Sequence, residues 1–244
     1  MFEQAGFEVR FEWGPKAIST IGPSVDAIVI VDVLSFSTSV DIAVSRGAEV
    51  LPYYFNHLQA SEFATVHHAV LADREAKPGS YSLRPTSLLA IPSGTRLVLP
   101  SPNGSALSFQ AAESGQKVFA GCLRNAKAIG TMINRHGWST LVVAAGERWP
   151  DNSLRPCYED LVGAGAIIDH LSPNRSPEAE AALVTYLESI NCLEARVFAC
   201  SSGQELTARG SKNDVKLATR LNESDSVPLL DGSAFVRWDS LFLG

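Results

Sequence analysis

Residues Ala27-Ile-Val-Ile-Val31 form an unbroken apolar run that ends in Asp32. Four successive β-branched side chains, Ile28 to Val31, predict a strand buried on both faces, which an α/β sheet provides. Ser35, Ser37, Thr38 and Ser39 follow, and Val40-Asp-Ile-Ala-Val44 then takes up helical spacing. A carboxylate at the end of a buried strand, with hydroxyls and free N–H groups at a helix start, suits a metal-held phosphate. In open α/β sheets, ligands collect beyond the carboxyl ends of the strands. The plainer alternative is that Asp32 only caps the next helix.

The rest of the chain repeats the alternation. Phe7 to Trp13 alternates with period two, as a half-exposed strand does, and Gly14-Pro15 ends it. Strands are expected at 25–31, 48–54, 69–72, 96–99, 117–120, 139–145, 226–230 and 234–238. Helices are expected at 40–46, 57–68, 106–112, 125–136, 159–171, 178–190, 204–209 and 214–221. Residues 73–92 and 149–157 read as long irregular loops, which in compact domains are usually functional. Strands alternating with helices, no internal repeat and no linker predict one domain over 1–244. Its class is α/β, a three-layer α/β/α sandwich with a mixed, largely parallel sheet.

Composition narrows the function. Of 244 residues, 45% are apolar and 19% charged, enough for a sizeable core. A net charge of −6 argues against nucleic acid as a partner. No apolar run reaches membrane-spanning length, and the N-terminus lacks a basic signal region, so a cytoplasmic protein is expected. The four Cys form no CxxC pair and the five His no HExxH cluster, which speaks against zinc and a disulfide framework. Neither GxGxxG nor GxxxxGK[ST] nor GxSxG occurs. Asp32-Val-Leu34 lacks the second Asp of a DxD phosphatase.

Five polar clusters each follow an apolar strand: Asp32 to Ser39, Asp73-Arg74, Ser101-Pro-Asn-Gly-Ser105, Cys122-Leu-Arg-Asn125 and Gly146-Glu-Arg148. If the strands are mostly parallel, these ends gather on one sheet edge. Arg74 and Arg124 can offer planar donor forks to an oxyanion. Asp32, Asp73, Glu159 and Asp160 offer hard oxygens for Mg²⁺. Gly104 permits a positive φ, so the Asn103-Gly104 turn can aim N–H groups at an anion. Asn-Gly is also a common inert turn, and Glu159-Asp160 can simply favour a helix N-terminus.

In their order and spacing these clusters resemble the 2-phosphosulfolactate phosphatases of coenzyme M biosynthesis, the ComB-like family. Asp32-Val-Leu-Ser-Phe-Ser-Thr-Ser39 is similar to that family's Asp-Val-Leu-Arg-Ala-[Ser/Thr]-[Ser/Thr]-Thr. Arg46-Gly-Ala48, Ala72-Asp-Arg74, Ser101-Pro-Asn-Gly-Ser105, Asn125-Ala126, Ala145-Gly146, Glu159-Asp160 with Ala164-Gly165, and Ser202-Gly-Gln-Glu-Leu206 continue the likeness. It spans roughly residues 25–230. Ser35 stands where the family has Arg, and Gly163 where it has Cys. The resemblance implies a Mg²⁺-dependent phosphatase acting on a small 2-phospho-carboxylate. It implies catalytic roles for Asp32, Asp73, Glu159 and Asp160, with Asp32 and Asp160 on the metal. Ser37, Thr38, Arg74, Asn103, Gly104 and Asn125 would hold substrate or phosphate. The expected partner is a small anionic phosphate ester, with no nucleic acid, no membrane, and a homodimer left open. Losing the Arg at 35 should cost about ten- to a hundredfold in anion affinity, unless Arg84 or Arg124 reaches in. A catalytically weakened anion-binding protein and a hydrolase for a different phosphate ester are the competing readings.

Overall fold

The computed structural model describes residues 2–54, 57–73, 77 and 79–239, and only the backbone of His57 and Leu58. In chain order the first half holds β1 Val9–Trp13, α1 Gly14–Thr20, β2 Ala27–Val31, α2 Phe36–Ser45, β3 Glu49–Tyr53, α3 His57–Val66, β4 Val70–Leu71, β5 Arg96–Pro100 and α4 Gly104–Ala112. Then follow β6 Lys117–Gly121, α5 Ala126–His136, β7 Thr140–Ala144, β8 Glu147–Arg148, β9 Leu154–Arg155, α6 Tyr158–Ile168 and α7 Pro177–Leu187. The last elements are α8 Leu193–Ala199, α9 Ser201–Ala208, α10 Lys212–Ala218, β10 Pro228–Asp231 and β11 Ala234–Arg237. They build the expected three-layer α/β/α sandwich.

Nine strands form one sheet in the order β1-β7-β2-β6-β10-β11-β3-β5-β4. β2 lies inside it, parallel to β7 on one side and β6 on the other, and all five of its residues are buried. Ile28 and Ile30 pack on one face with Ile18 of α1 and Leu107 of α4. Val29 and Val31 pack on the other with Ile129 of α5 and Ile167 of α6. Full burial of each such side chain contributes about 1.5–3 kcal/mol. That burial on both faces is why the run is apolar without alternation.

The sheet departs from simple parallel winding at its centre. β10 pairs antiparallel with β6, β11 antiparallel with β10, and β3 antiparallel with β11. Three antiparallel steps set the group β3, β5, β4 opposite in direction to β1, β7, β2, β6. The segments read from sequence as short terminal strands therefore fill the middle of the sheet. Other departures are local. Gly14-Pro15 opens α1 rather than a loop, since Pro is well placed in a first helical turn. α2 begins at Phe36, four residues earlier than its apolar spacing suggests, because the Ser/Thr run is itself helical. α8 has no counterpart in the expected elements, and the loop at 149–157 is framed by the β8–β9 hairpin. Among the described residues no helix is long and apolar enough to cross a membrane.

Helices α6 and α7 meet closely at Gly165, as the Ala-Gly-Ala sequence suggests. A Cβ there would run into the carbonyl oxygen of Ala182 and come 2.7 Å from the Tyr186 Cβ. Gly165→Ala should cost about 1–3 kcal/mol of stability. In a chain of this size that lowers the melting temperature by roughly 2–12 °C in a thermal scan.

Candidate active site

Two aspartates, each at the mouth of the sheet, are gripped by backbone. Asp32 follows β2 and is 5% exposed. Its Oδ1 accepts the N–H of Phe36 at 3.2 Å and its Oδ2 that of Gly104 at 2.8 Å. Asp160, in the first turn of α6, is 4% exposed. Its Oδ1 accepts the N–H of Val33 and its Oδ2 that of Gly146, both at 2.8 Å. Asp32 thus does take the first N–H of α2, as a cap would. The same carboxylate also reaches a second helix, α4, which capping alone does not require.

Glycine at 104 is needed for close approach. A Cβ there would lie 2.6 Å from Phe36 Cδ1 and 2.8 Å from both Cβ and Oδ2 of Asp32. Its φ is not positive, which corrects the expected turn geometry, and its N–H faces the protein's own carboxylate. The buried hydroxyls of the Ser/Thr run are also internally engaged. Ser37 Oγ accepts the Asp32 N–H and donates to the Ile30 carbonyl. Thr38 Oγ1 donates to the Val33 carbonyl at 2.8 Å. Both fix the β2–α2 turn. Asn125 does the same beyond β6, accepting the Cys122 N–H and donating to the Ala120 carbonyl. The polar side-chain atoms of all three are thus engaged by backbone groups of their own turns. Asn103 points outward from its turn and donates through Nδ2 to Glu147 Oε2 at 2.9 Å.

Four carboxylates lie within electrostatic reach: Glu147 and Glu159 bear on Asp32, Asp32 and Glu159 on Asp160, and Glu159 on Glu147. Glu159 is 3% exposed, and its Oε2 accepts the Cys200 thiol at 3.1 Å. Burial, then the charges of Glu147 and Glu159, push Asp32 up to about 7, against the pull of the Gly104 and Phe36 N–H groups. Burial, then Asp32 and Glu159, hold Asp160 well above the ordinary carboxyl range. Burial also raises Glu147, against the hydrogen bond from Asn103. The thiols nearby are kept protonated. Burial and Glu159 push Cys200 up to about 12, and burial also lifts Cys157. Neither suits a thiolate nucleophile.

Other expected members lie elsewhere. The Asp73 N–H donates to the Tyr81 carbonyl at the outer edge of the sheet. Among the described residues no hydrogen bond joins Asp73 to the carboxylate group, because β4 stands six strands from β2 in the sheet order. Arg74 lies outside the described residues. Arg124 is not a free fork. It is buried, and its Nε donates to Asp41 Oδ2 at 2.9 Å beneath α2. Arg84 likewise pairs with Asp214 at 2.8 Å. Neither compensates for Ser35.

The arrangement missed by sequence is the β8–β9 hairpin. It supplies Glu147, whose only signal was a Gly-Glu-Arg cluster after an apolar strand, and Arg155, hidden in a segment read as loop. Cavities flank the hairpin. One of about 690 Å³ is lined by Asn103, Glu147, Trp13, Tyr54 and Leu154. One of about 470 Å³ is lined by Arg155, Glu159, Arg196 and Cys200. A further cavity of about 760 Å³, beside Lys127 and Trp238, holds none of the four carboxylates.

A divalent cation fits the donor chemistry in one respect. Among the described residues no Lys or Arg forms an ion pair with Asp32, Glu147, Glu159 or Asp160, so their negative charge has no direct partner. No group of three or more His, Cys, Asp or Glu among the described residues could hold a metal ion. Mg²⁺ commonly takes only one or two carboxylates and completes its shell with water and phosphate, and Asp32 and Asp160 match that number.

A family model described as 2-phosphosulpholactate phosphatase matches residues 15–233. Similar proteins bear the name probable 2-phosphosulfolactate phosphatase. One from Microcystis aeruginosa is 24% identical over 218 residues, covering 84% of this chain and 88% of the relative. Another from Carboxydothermus hydrogenoformans is 26% identical over 227 residues, covering 88% and 92%. A third from Pseudothermotoga lettingae is 23% identical over 214 residues, covering 86% and 91%.

Two outcomes follow from the electrostatics. An acid raised in the fold binds its proton more tightly there than in the unfolded chain. The share of stability that Asp32 contributes in the metal-free protein is fullest below the ordinary carboxyl pKa of about 4 and is lost as pH rises through its folded value of about 7. Melting temperatures in chelator should fall across that window, and fall less in Asp160→Asn, which removes one of the repelling charges. Arg124→Leu should cost about 3–5 kcal/mol in denaturant unfolding, because it strands the buried Asp41.

Proposed function

The chain belongs to the 2-phosphosulpholactate phosphatase family, and from that membership and its buried carboxylates we propose a Mg²⁺-dependent phosphatase. Its substrate is a small 2-phospho-carboxylate such as 2-phosphosulfolactate, cleaved to the 2-hydroxy acid and phosphate. The observation that carries the reading is the pair Asp32 and Asp160, each anchored through both oxygens and set beside Glu147 and Glu159. Anchoring by backbone leaves carboxylates rigid, with little reorganisation needed when charge develops on a reacting phosphate. Asp32 and Asp160 would hold the metal, which when bound supplies a Lewis acid that neutralises phosphoryl oxygens.

The chain's own groups supply the proton movements. Hydrolysis joins a water oxygen to phosphorus, breaks the P–O ester bond and returns one proton to the leaving alcohol. Glu159, fixed by the Cys200 thiol, takes the proton from water. Glu147, raised by burial and steadied by Asn103, gives a proton to the leaving oxygen. Gly104 and Gly146 keep the aspartates aimed throughout.

Phosphate release from 2-phosphosulfolactate and other small esters, with and without Mg²⁺, tests this. Release should require the metal, and Mg²⁺ should also lessen the loss of stability between about pH 4 and 7. Asp32→Asn should lower kcat by about a hundredfold or more and also lower the melting temperature, because the amide can accept only one of the Phe36 and Gly104 N–H groups. Unaltered release after EDTA would refute the metal. No release from any ester would refute the hydrolase and favour an anion-binding protein.

A further inference from the structure

The cavity on the Glu159 side is walled by two guanidinium groups. Arg155 and Arg196 both line it, together with Tyr158, Glu159, Cys200 and Ser201. Arg155 is half-buried and forms no ion pair among the described residues. Its Nη2 donates to Ser202 Oγ at 3.4 Å, a long bond, and its Cζ stands 5.7 Å from the Trp149 ring centroid. Arg196 makes no ion pair either, and donates to Ser189 Oγ at 3.3 Å. The charge of Arg155 bears on Glu147 across the hairpin, yet no carboxylate among the described residues pairs with its guanidinium directly, so its donors remain open to an anion from solution.

The base of the hairpin holds Arg155 in place. Arg155 is the direct cross-strand partner of Glu147. Gly146, at φ +65°, lets the chain pass so close that a Cβ would lie 2.8 Å from the Arg155 carbonyl oxygen. The same Gly146 donates to Asp160. Arg155 is therefore set in fixed relation to the aspartates and opens onto the cavity that Glu159 borders.

We propose that Arg155, assisted by Arg196, binds the carboxylate or sulfonate of the substrate, the anionic group that is not transferred. The proposal rests on the phosphatase reading and deepens it by naming the residue that selects a doubly anionic ester. In a 2-phospho-carboxylate the second anion sits one carbon from the ester-bearing carbon. The proposal places that anion in the cavity that Glu159, next in sequence to Asp160, borders, where Glu159 alone would repel it. A planar cationic fork on the same cavity wall reverses the sign and matches the two oxygens of a carboxylate.

The test compares 2-phospholactate with isopropyl phosphate, which carries a methyl in place of the carboxylate. In Arg155→Gln the ratio of kcat/KM for the first over the second should fall about ten- to a hundredfold, chiefly through KM. Arg155→Lys should restore part of it, since charge returns without the fork. An unchanged ratio, or equal loss on both esters, would overturn the proposal and leave Arg155 as a counter-charge for Glu147. Calorimetric titration with 3-sulfolactate gives a judgement independent of turnover. Binding weakened about ten- to a hundredfold in Arg155→Gln supports the anion role. Equal affinity, or no binding to the unaltered protein, refutes it. If neither ester is cleaved, the titration alone decides on Arg155, and the hydrolase reading is judged separately by release from 2-phosphosulfolactate.

Discussion

Four backbone N–H groups converging on two buried carboxylates tie this protein together. Asp32 joins the end of β2 to the starts of α2 and α4. Asp160 joins α6 to the β2–α2 turn and to the residue where β7 hands over to the hairpin. Two side chains thus fasten four stretches distant in sequence: residues 32–36, Gly104, Gly146 and Asp160. The cost is electrostatic. Burial disfavours ionisation, and Glu147 and Glu159 add like charge. The atoms that hold the segments together are the same ones that carry the raised pKa values.

That double duty explains which parts of the site could be read from sequence. Asp32, Glu159 and Asp160 stand at strand ends and helix starts, where apolar periodicity breaks into polar residues, and such breaks are visible in one dimension. Ser37, Thr38 and Asn125 stand at similar breaks, yet their polar atoms turn inward to backbone groups. Residue type and position are alike in the two cases. Only the direction of the side chain separates them, and that is a tertiary property. Arg124 carries the same lesson, because its partner Asp41 looks in sequence like an ordinary polar position of a helix.

Fold class was legible because buried strands and amphipathic helices leave periodic signals. Strand order was not. Ser226 to Leu230 and Ala234 to Trp238 read from sequence as short strands late in the chain, yet β10 and β11 sit in the middle of the sheet. Nothing local distinguishes them, since pairing partners are chosen by whichever edges remain open. The reversal of direction there makes the strand-end rule an incomplete guide. It gathers the ends of β2 and β7 beside α6, while the end of β5 reaches Asp32 through the first residue of α4.

The central position of β10 and β11 also bears on how the chain assembles. The strands on either side are all complete before residue 228 is made. Until the hairpin arrives, β6 and β3 present open edges, the exposed backbone that invites pairing with other chains. Joining the two half-sheets also requires contacts of long sequence separation, such as Phe235 with Val50, which form slowly. The last strands act as a keystone, and a ribosome-bound chain would carry two unfinished half-sheets until synthesis has passed it.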